Sequence, residues 1–184
     1  MLYSLPFELI CTMALFILTG GPGTGKTSAV IHLVEMLKQR GLRVEGIVSR
    51  EVRKDSTRIG FEFVDITSNE TALLASINGT GPRVGKYSVD LAGCVFAVKV
   101  LRKAIADAEV IICDELGPME FKSKEFVDCV SGMLELDKHI IAVVHKRLKH
   151  PVIDRYREKT SFMIELDIQN RNKVPYLLLD RLIG

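Results

Sequence analysis

Residues 20–27 read G-G-P-G-T-G-K-T and have the spacing of a phosphate-binding loop, GxxxxGK[ST]. Glycines let successive backbone N–H groups converge on phosphate oxygens, and a helix that begins at the end of the loop would add the positive end of its dipole. Lys26 can reach the β- and γ-phosphates, and the Thr27 hydroxyl can be a ligand of Mg²⁺. The predicted phosphate-binding residues are Gly20, Gly21, Pro22, Gly23, Thr24, Gly25, Lys26 and Thr27.

A second polar site follows a buried-looking apolar run in the sequence VIICDE, at 110–115. Asp114 ends the run and matches the Walker B aspartate, which holds Mg²⁺ directly or through water. Glu115 projects in a different direction, because successive side chains of a strand alternate, and it could hold a water in line with the γ-phosphate as a general base. We therefore predict Thr27 and Asp114 as metal ligands and Lys26 and Glu115 as catalytic residues.

Four further polar residues are candidates on weaker grounds. His145 follows the apolar run IIAVV, where a polar side chain could sense the γ-phosphate, although an ordinary loop histidine is the alternative. Arg50, Arg53 and Arg171 could each neutralise transition-state charge as an arginine finger does, or could be surface arginines. The sequence by itself assigns a role to none of the four.

These residues require an α/β framework. Short apolar runs alternate with helical periodicity, which predicts a mainly parallel sheet covered by helices on both faces. The predicted strands are 15–19, 44–49, 110–114, 140–144 and 162–166, and the predicted helices are 28–40, 91–108, 126–134 and 172–183. Gly41 is the expected C′ residue of the first helix, and Ser123 is a possible N-cap. The segment 58–66 alternates in polarity and predicts a small antiparallel insertion with 44–51.

The composition sets limits on domain number and on partners. A length of 184 residues fits one domain, which we expect at 13–184, preceded by an extension of uncertain role at 1–12. The net charge of +2, spread along the chain, does not indicate nucleic-acid binding. The apolar N-terminal run is shorter than a membrane helix needs, and four scattered cysteines favour a reducing, cytoplasmic setting. An oligomer is possible but undetermined.

Two other classes of P-loop protein remain as alternatives. The sequence DELG, at 114–117, also matches the DxxG of regulatory switch GTPases, but an NKxD-type guanine-reading loop is missing. A nucleotide or polynucleotide kinase would need a basic lid, for which HKRLKH at 145–150 is a short candidate. A glutamate beside the Walker B aspartate suits activation of water better than transfer to an acceptor.

Five blocks in this order resemble one family: LTGGPGTGKT, GIVSREVRKDSTRIGFEFVDI, VGKYSVDL, ICDELGPMEF and the late NRN. They are similar to those of the thermophile-type nucleoside-triphosphatases, which are related to the cancer-related nucleoside-triphosphatase. The resemblance covers the chain from about Met13. It implies a RecA- or AAA-like domain that hydrolyses ATP, GTP, CTP and UTP to the diphosphate and phosphate with Mg²⁺. The nucleotide contacts implied besides the loop are Ile112, Cys113, Asp114, Glu115, Leu116, Gly117, Pro118 and Met119.

The resemblance also marks positions whose roles chemistry does not suggest. Glu51, Arg53, Lys86 and Tyr87 match signature positions that could shape the site or hold the insertion on the sheet. Pro118 is a departure, because members often have lysine there, so that any contact made by the lysine is absent from this chain.

Overall fold

One nine-stranded sheet runs through the part of the chain that the computed structural model describes, residues 13–183. The strands are β1 (Leu15–Thr19), β2 (Val44–Lys54), β3 (Thr57–Asp65), β4 (Thr71–Ser76), β5 (Arg83–Val84), β6 (Tyr87–Val89), β7 (Val110–Leu116), β8 (His139–Val144) and β9 (Phe162–Glu165). The helices are α1 (Lys26–Gln39), α2 (Leu91–Asp107), α3 (Lys124–Met133), α4 (Pro151–Lys159) and α5 (Val174–Ile183), and a 3-10 turn at Glu120–Lys122 precedes α3. The extension predicted at 1–12 lies outside the described residues.

The strand order is β5-β6-β4-β3-β2-β7-β8-β1-β9. The pairs β2–β7, β7–β8, β8–β1 and β1–β9 are parallel, whereas β3, β4, β5 and β6 extend the sheet beyond β2 with antiparallel pairs. Since β8 lies between β1 and β7, the ends of β1 and β7 are separated by two strand spacings, roughly 10 Å. The phosphate loop after β1 and the acidic pair on β7 therefore meet at one edge of the sheet.

Helices cover both faces, as the sequence pattern predicts. Phe16 and Leu18 of β1 belong to the apolar cluster that contains the buried faces of α1 and α5. Ile17, whose side chain alternates with theirs, belongs to the cluster that contains residues of α2, α3 and α4. This two-sided burial explains why the parallel strands read as continuous apolar runs.

The five predicted parallel strands and four predicted helices are all present, with ends that differ by a few residues. Gly41 has a φ of +83°, which suits a C′ glycine, and Ser123 Oγ accepts a hydrogen bond from the Phe126 N–H at 3.3 Å. The antiparallel insertion is confirmed but larger than expected, because β4, β5 and β6 continue it. None of the helices within 13–183 is long and apolar enough to cross a membrane.

The signature positions of the insertion contact one another across its strands. Glu51 accepts hydrogen bonds from Arg53 and Arg58, each with a shortest N–O distance of 2.6 Å, and the bond from Arg58 lowers the pKa of Glu51. Arg58 Nε also donates to the Tyr87 hydroxyl at 2.8 Å, and Lys86 Nζ lies 5.4 Å from the Tyr87 ring centre. These contacts link β2, β3 and β6.

Candidate active site

The phosphate loop is shaped by close backbone contacts that exclude larger residues. A Cβ at Gly20 would lie 2.4 Å from the Leu166 carbonyl oxygen, and Gly25 has a left-handed φ of +95° where α1 begins. Lys26 Nζ donates to the carbonyl oxygens of Gly20 and Gly21 at 3.2 and 3.0 Å. The ammonium group of Lys26 therefore lies over the phosphate loop, where a phosphate would also bind.

The N-terminus of α1 differs chemically from those of the helices that begin with a side-chain cap. Asp90, Ser123 and His150 accept hydrogen bonds from the first turns of α2, α3 and α4. At α1 the N-cap residue is Gly25, which has no side chain to accept such bonds, and the first turn contains no acidic residue. The first N–H groups of α1 are thus open to an external anion.

Asp114 is buried at the end of the parallel sheet, with 1% of its surface exposed. Burial raises its pKa to about 7, while a hydrogen bond with the Thr27 side chain acts in the opposite direction. Its Oδ2 atom has no hydrogen-bond partner among the described residues. The structure thus brings together the two predicted metal ligands and leaves one carboxylate oxygen unpartnered.

This arrangement fits a hard divalent cation that arrives with phosphate. A threonine hydroxyl and a carboxylate are oxygen ligands of the kind that Mg²⁺ takes. Within residues 13–183 no group of three or more histidine, cysteine, aspartate or glutamate residues could hold a metal ion. The remaining ligands would therefore be phosphate oxygens and water, as is usual for Mg²⁺ at nucleotide sites.

A third acidic residue lies beside the predicted pair. A Cβ at Gly117 would be 3.3 Å from Glu115 Oε1 and 2.8 Å from Glu120 Oε2, so both carboxyl groups lie over this glycine. Glu120 is 4% exposed, and burial raises its pKa to about 8, with the negative charges of Glu115 and Asp114 adding to the effect. A carboxyl group with that pKa is mostly protonated at neutral pH.

Sequence reasoning missed Glu120, because the implied nucleotide block ended at Met119. A signal was present, since the acidic residue lies within the apolar sequence PMEF. An acid in such a context is a candidate for burial, and a buried acid near other acids is a candidate for a functional site.

Comparison with known proteins shows the family to which this chain belongs. The family model described as NTPase matches residues 15–179. The chain belongs to the NTPase family. It is 37% identical to the nucleoside-triphosphatase THEP1 of Methanopyrus kandleri over 91% of this chain and 94% of that protein. It is 34% identical to the protein of the same name from Methanocaldococcus jannaschii over 94% of this chain and 98% of that protein.

Solved structures of the NTPase family have the same fold. The crystal structure of THEP1 from Aquifex aeolicus has a TM-score of 0.78 and 30% identity, and covers 92% of this chain and 99% of that chain. The solution structure of a human cancer-related nucleoside triphosphatase also has a TM-score of 0.78, with 29% identity, and covers 93% of this chain and 97% of that chain. The α/β fold expected for a P-loop NTPase is therefore confirmed.

The three candidate arginines have different contacts in this NTPase. Arg50 pairs with Glu62 at 2.5 Å, and Arg53 pairs with Glu51, so both are engaged with carboxylates of the insertion. Arg171 instead lies against the phosphate loop, with its Cδ 3.4 Å from the position of a Cβ at Gly25.

His145 directly follows β8, between the strands that carry the loop and the acids. Its backbone N–H donates to the Leu116 carbonyl at 3.1 Å, and its Nδ1 accepts from the Arg147 N–H at 3.3 Å. The second ring nitrogen, Nε2, is not needed for that contact. His145 thus lies at the same edge of the sheet as the phosphate loop and the acidic pair. Its role as a γ-phosphate sensor stays a prediction.

The residues implied as nucleotide contacts at 112–119 differ in burial in this NTPase. The side chains of Ile112, Cys113 and Leu116 are fully buried in the apolar core, and burial raises the pKa of Cys113 well above its ordinary value. The backbones of Ile112 and Cys113 pair with both β2 and β8, and the Leu116 carbonyl accepts the His145 N–H, so the nucleotide contacts implied for these three residues stay a prediction. Pro118 is half-buried and lines an open cavity of about 330 Å³, and Met119 is also half-buried.

Proposed function

We propose that this chain hydrolyses nucleoside triphosphates to the diphosphate and inorganic phosphate, with Mg²⁺ bound by Thr27 and Asp114. The observation that carries the proposal is the Thr27–Asp114 contact, which joins the phosphate loop to the acidic end of β7 at one edge of the sheet. The names of the similar proteins, which are nucleoside-triphosphatases, support the same activity.

Binding of the triphosphate would use the open end of α1 and Lys26. The loop N–H groups would donate to the α- and β-phosphates, and Lys26 would exchange its contacts with the carbonyls of Gly20 and Gly21 for phosphate oxygens. When bound, Mg²⁺ would neutralise negative charge on the β- and γ-phosphate oxygens.

Glu115 would act on the attacking water. Its half-buried carboxylate would accept a proton from a water molecule as the water oxygen bonds to the γ-phosphorus. The bond between the γ-phosphorus and the bridging β-oxygen breaks, and the diphosphate leaves with that electron pair. Gly117 provides the space in which the Glu115 carboxylate lies.

The experiment that tests the proposal follows phosphate release from ATP, GTP, CTP and UTP with Mg²⁺. We expect all four to be hydrolysed with kcat/KM values within about tenfold, because residues 172–175 lack the aspartate of a guanine-reading NKxD loop. A hundredfold preference for one base would contradict this tolerance. Parallel reactions with labelled ATP and nucleotide or polynucleotide acceptors would reveal a kinase by label transfer. Tight binding without either reaction would indicate a regulatory module.

Gly117→Ala is expected to lower kcat by about 10²-fold while nucleotide affinity stays near that of the wild type. The new methyl group would overlap the Glu120 carboxyl group at 2.8 Å and crowd the Glu115 side chain at 3.3 Å, so that both must shift, and a displacement of about 1 Å at a catalytic group can have an effect of this size. Steady-state kinetics and nucleotide titration measure the two quantities.

Gly132→Ala is the matched control, because a Cβ at Gly132 would have no atom within 4 Å. We expect it to keep wild-type kcat. Equal kcat values in the two variants would show that Glu115 does not need the space over Gly117. Thermal unfolding of both variants separates this local effect from loss of the fold.

We also propose a cytoplasmic setting for this NTPase. Cys94, Cys113 and Cys129 are all free thiols, and burial raises the pKa of Cys94 to about 12. Free thiols are typical of a reducing compartment. Fractionation of cells that contain the protein would test this.

A further inference from the structure

Arg171 contacts the phosphate loop from the segment between β9 and α5. Its Cδ and Nη1 atoms lie 3.4 and 3.9 Å from the position that a Cβ would have at Gly25. Gly25 is the N-cap residue of α1 and directly precedes Lys26. The exposed arginine therefore lies beside the helix end to which we assign phosphate binding.

The backbone around Arg171 is held by a reciprocal pair of side-chain hydrogen bonds. Asp167 Oδ1 accepts from the Asn170 N–H at 2.8 Å, and Asn170 Oδ1 accepts from the Asp167 N–H at 2.9 Å. Asn170 Nδ2 also donates to the Glu165 carbonyl at 2.9 Å, which ties the turn to the end of β9. The Arg171 N–H donates to the Asp167 carbonyl at 3.1 Å. This explains the NRN block, whose first residue fixes the turn that presents the arginine.

Strand order places Arg171 and the acidic residues on opposite sides of the phosphate loop. β1 has β8 on one side and β9 on the other. Asp114 and Glu115 belong to β7, beyond β8, whereas Arg171 follows β9. The β- and γ-phosphates must lie toward the acids, because Thr27 and Asp114 would share their metal ion. The α-phosphate, sugar and base would then extend toward β9.

The same side of the site also exposes large apolar side chains. Ile168, in the turn with Arg171, is 71% exposed, and Tyr176, in the first turn of α5, is 52% exposed. The Tyr176 ring makes an edge contact with His32 of α1, with ring centres 5.4 Å apart. A flat, uncharged ligand group would find both an arginine and apolar surface on this side.

We propose that Arg171 binds the nucleobase, with its guanidinium stacked on the face of the base. This inference rests on the proposed function, which supplies the nucleotide. A guanidinium is planar and stacks on aromatic faces, and every base presents such a face whatever its hydrogen-bonding edge. Stacking therefore supplies affinity without base selection, and it would account for the tolerance of four nucleotides that the proposed function expects. On this assignment Arg171 is a base-binding residue that does not select among the bases, rather than an arginine finger at the γ-phosphate.

Direct binding of ADP, GDP, CDP, UDP and inorganic pyrophosphate by the full chain tests this without requiring hydrolysis. For Arg171→Ala we expect Kd to rise about tenfold for all four diphosphates and to stay within twofold for pyrophosphate. Lys173→Ala, which removes an exposed charge two residues away, should leave every Kd within twofold. A Kd that rises equally for pyrophosphate would overturn the proposal, because Arg171 would then bind phosphate.

Two further measurements distinguish stacking from a simple charge effect and from an arginine-finger role. Arg171→Lys keeps the charge but not the planar group, and we expect its diphosphate affinities to match those of Arg171→Ala; full recovery of affinity would overturn stacking. In steady-state hydrolysis Arg171→Ala should raise KM with kcat nearly unchanged, whereas a large loss of kcat at constant KM would indicate an arginine finger. If the wild type binds nucleotides but releases no phosphate, the proposed function fails while the binding test of Arg171 still stands.

Discussion

Glu115→Gln is expected to slow phosphate release by about 10²–10⁴-fold, the usual contribution of a positioned general base. Glutamine has nearly the shape of glutamate and can hold a water, but its amide cannot accept the proton that the attacking water must lose. Nucleotide affinity should stay within about twofold, because the phosphate contacts belong to the loop and to α1. Single-turnover phosphate release and nucleotide titration measure the two quantities.

The control for this change is Glu125→Gln, the same substitution at an exposed position in the first turn of α3. It should leave phosphate release at the wild-type rate. If Glu115→Gln also kept that rate, the base would be a group other than Glu115.

Lys26→Ala is expected to lower kcat/KM by about 10³-fold or more, because it removes the positive charge closest to the developing negative charge of the phosphates. The ammonium already lies within 3.2 Å of two loop carbonyl oxygens, so a bound phosphate would not have to order a distant side chain. Loss of the lysine should weaken triphosphate binding as well as turnover, which distinguishes it from Glu115→Gln.

Lys99→Ala, at an exposed position of α2, provides the matched loss of one positive charge. Its kinetic constants should match those of the wild type. Wild-type kcat/KM in Lys26→Ala would rule out the whole site, whereas equal losses in both variants would point to a general effect of net charge. Thermal unfolding of Lys26→Ala checks that the loop change leaves the fold intact.

Local sequence pattern was sufficient to predict the two parts of the candidate site, the phosphate loop and the acidic pair. The spacing of glycines before Lys26 and the apolar run before Asp114 each depend on a few neighbouring residues. The helix of 151–159 was missed because five of its nine residues are charged and only Val152, Ile153 and Tyr156 are buried. Strands β5 and β6 were missed because they have only two and three residues, too few for a period-2 pattern, and β4 was missed because its sequence TALLAS does not alternate in polarity.

The sequence by itself determined the phosphate loop, the acidic pair and the α/β class, because each follows from residue types at short spacing. The tertiary structure decided which distant residues meet. Thr27 contacts Asp114 because β8 brings β1 and β7 within two strands of each other, and Arg171 reaches Gly25 because β9 pairs with the other side of β1. Burial of Glu120 likewise depends on the packing around the turn after β7. Strand order and burial are set by contacts between segments far apart in the chain, which no short pattern contains.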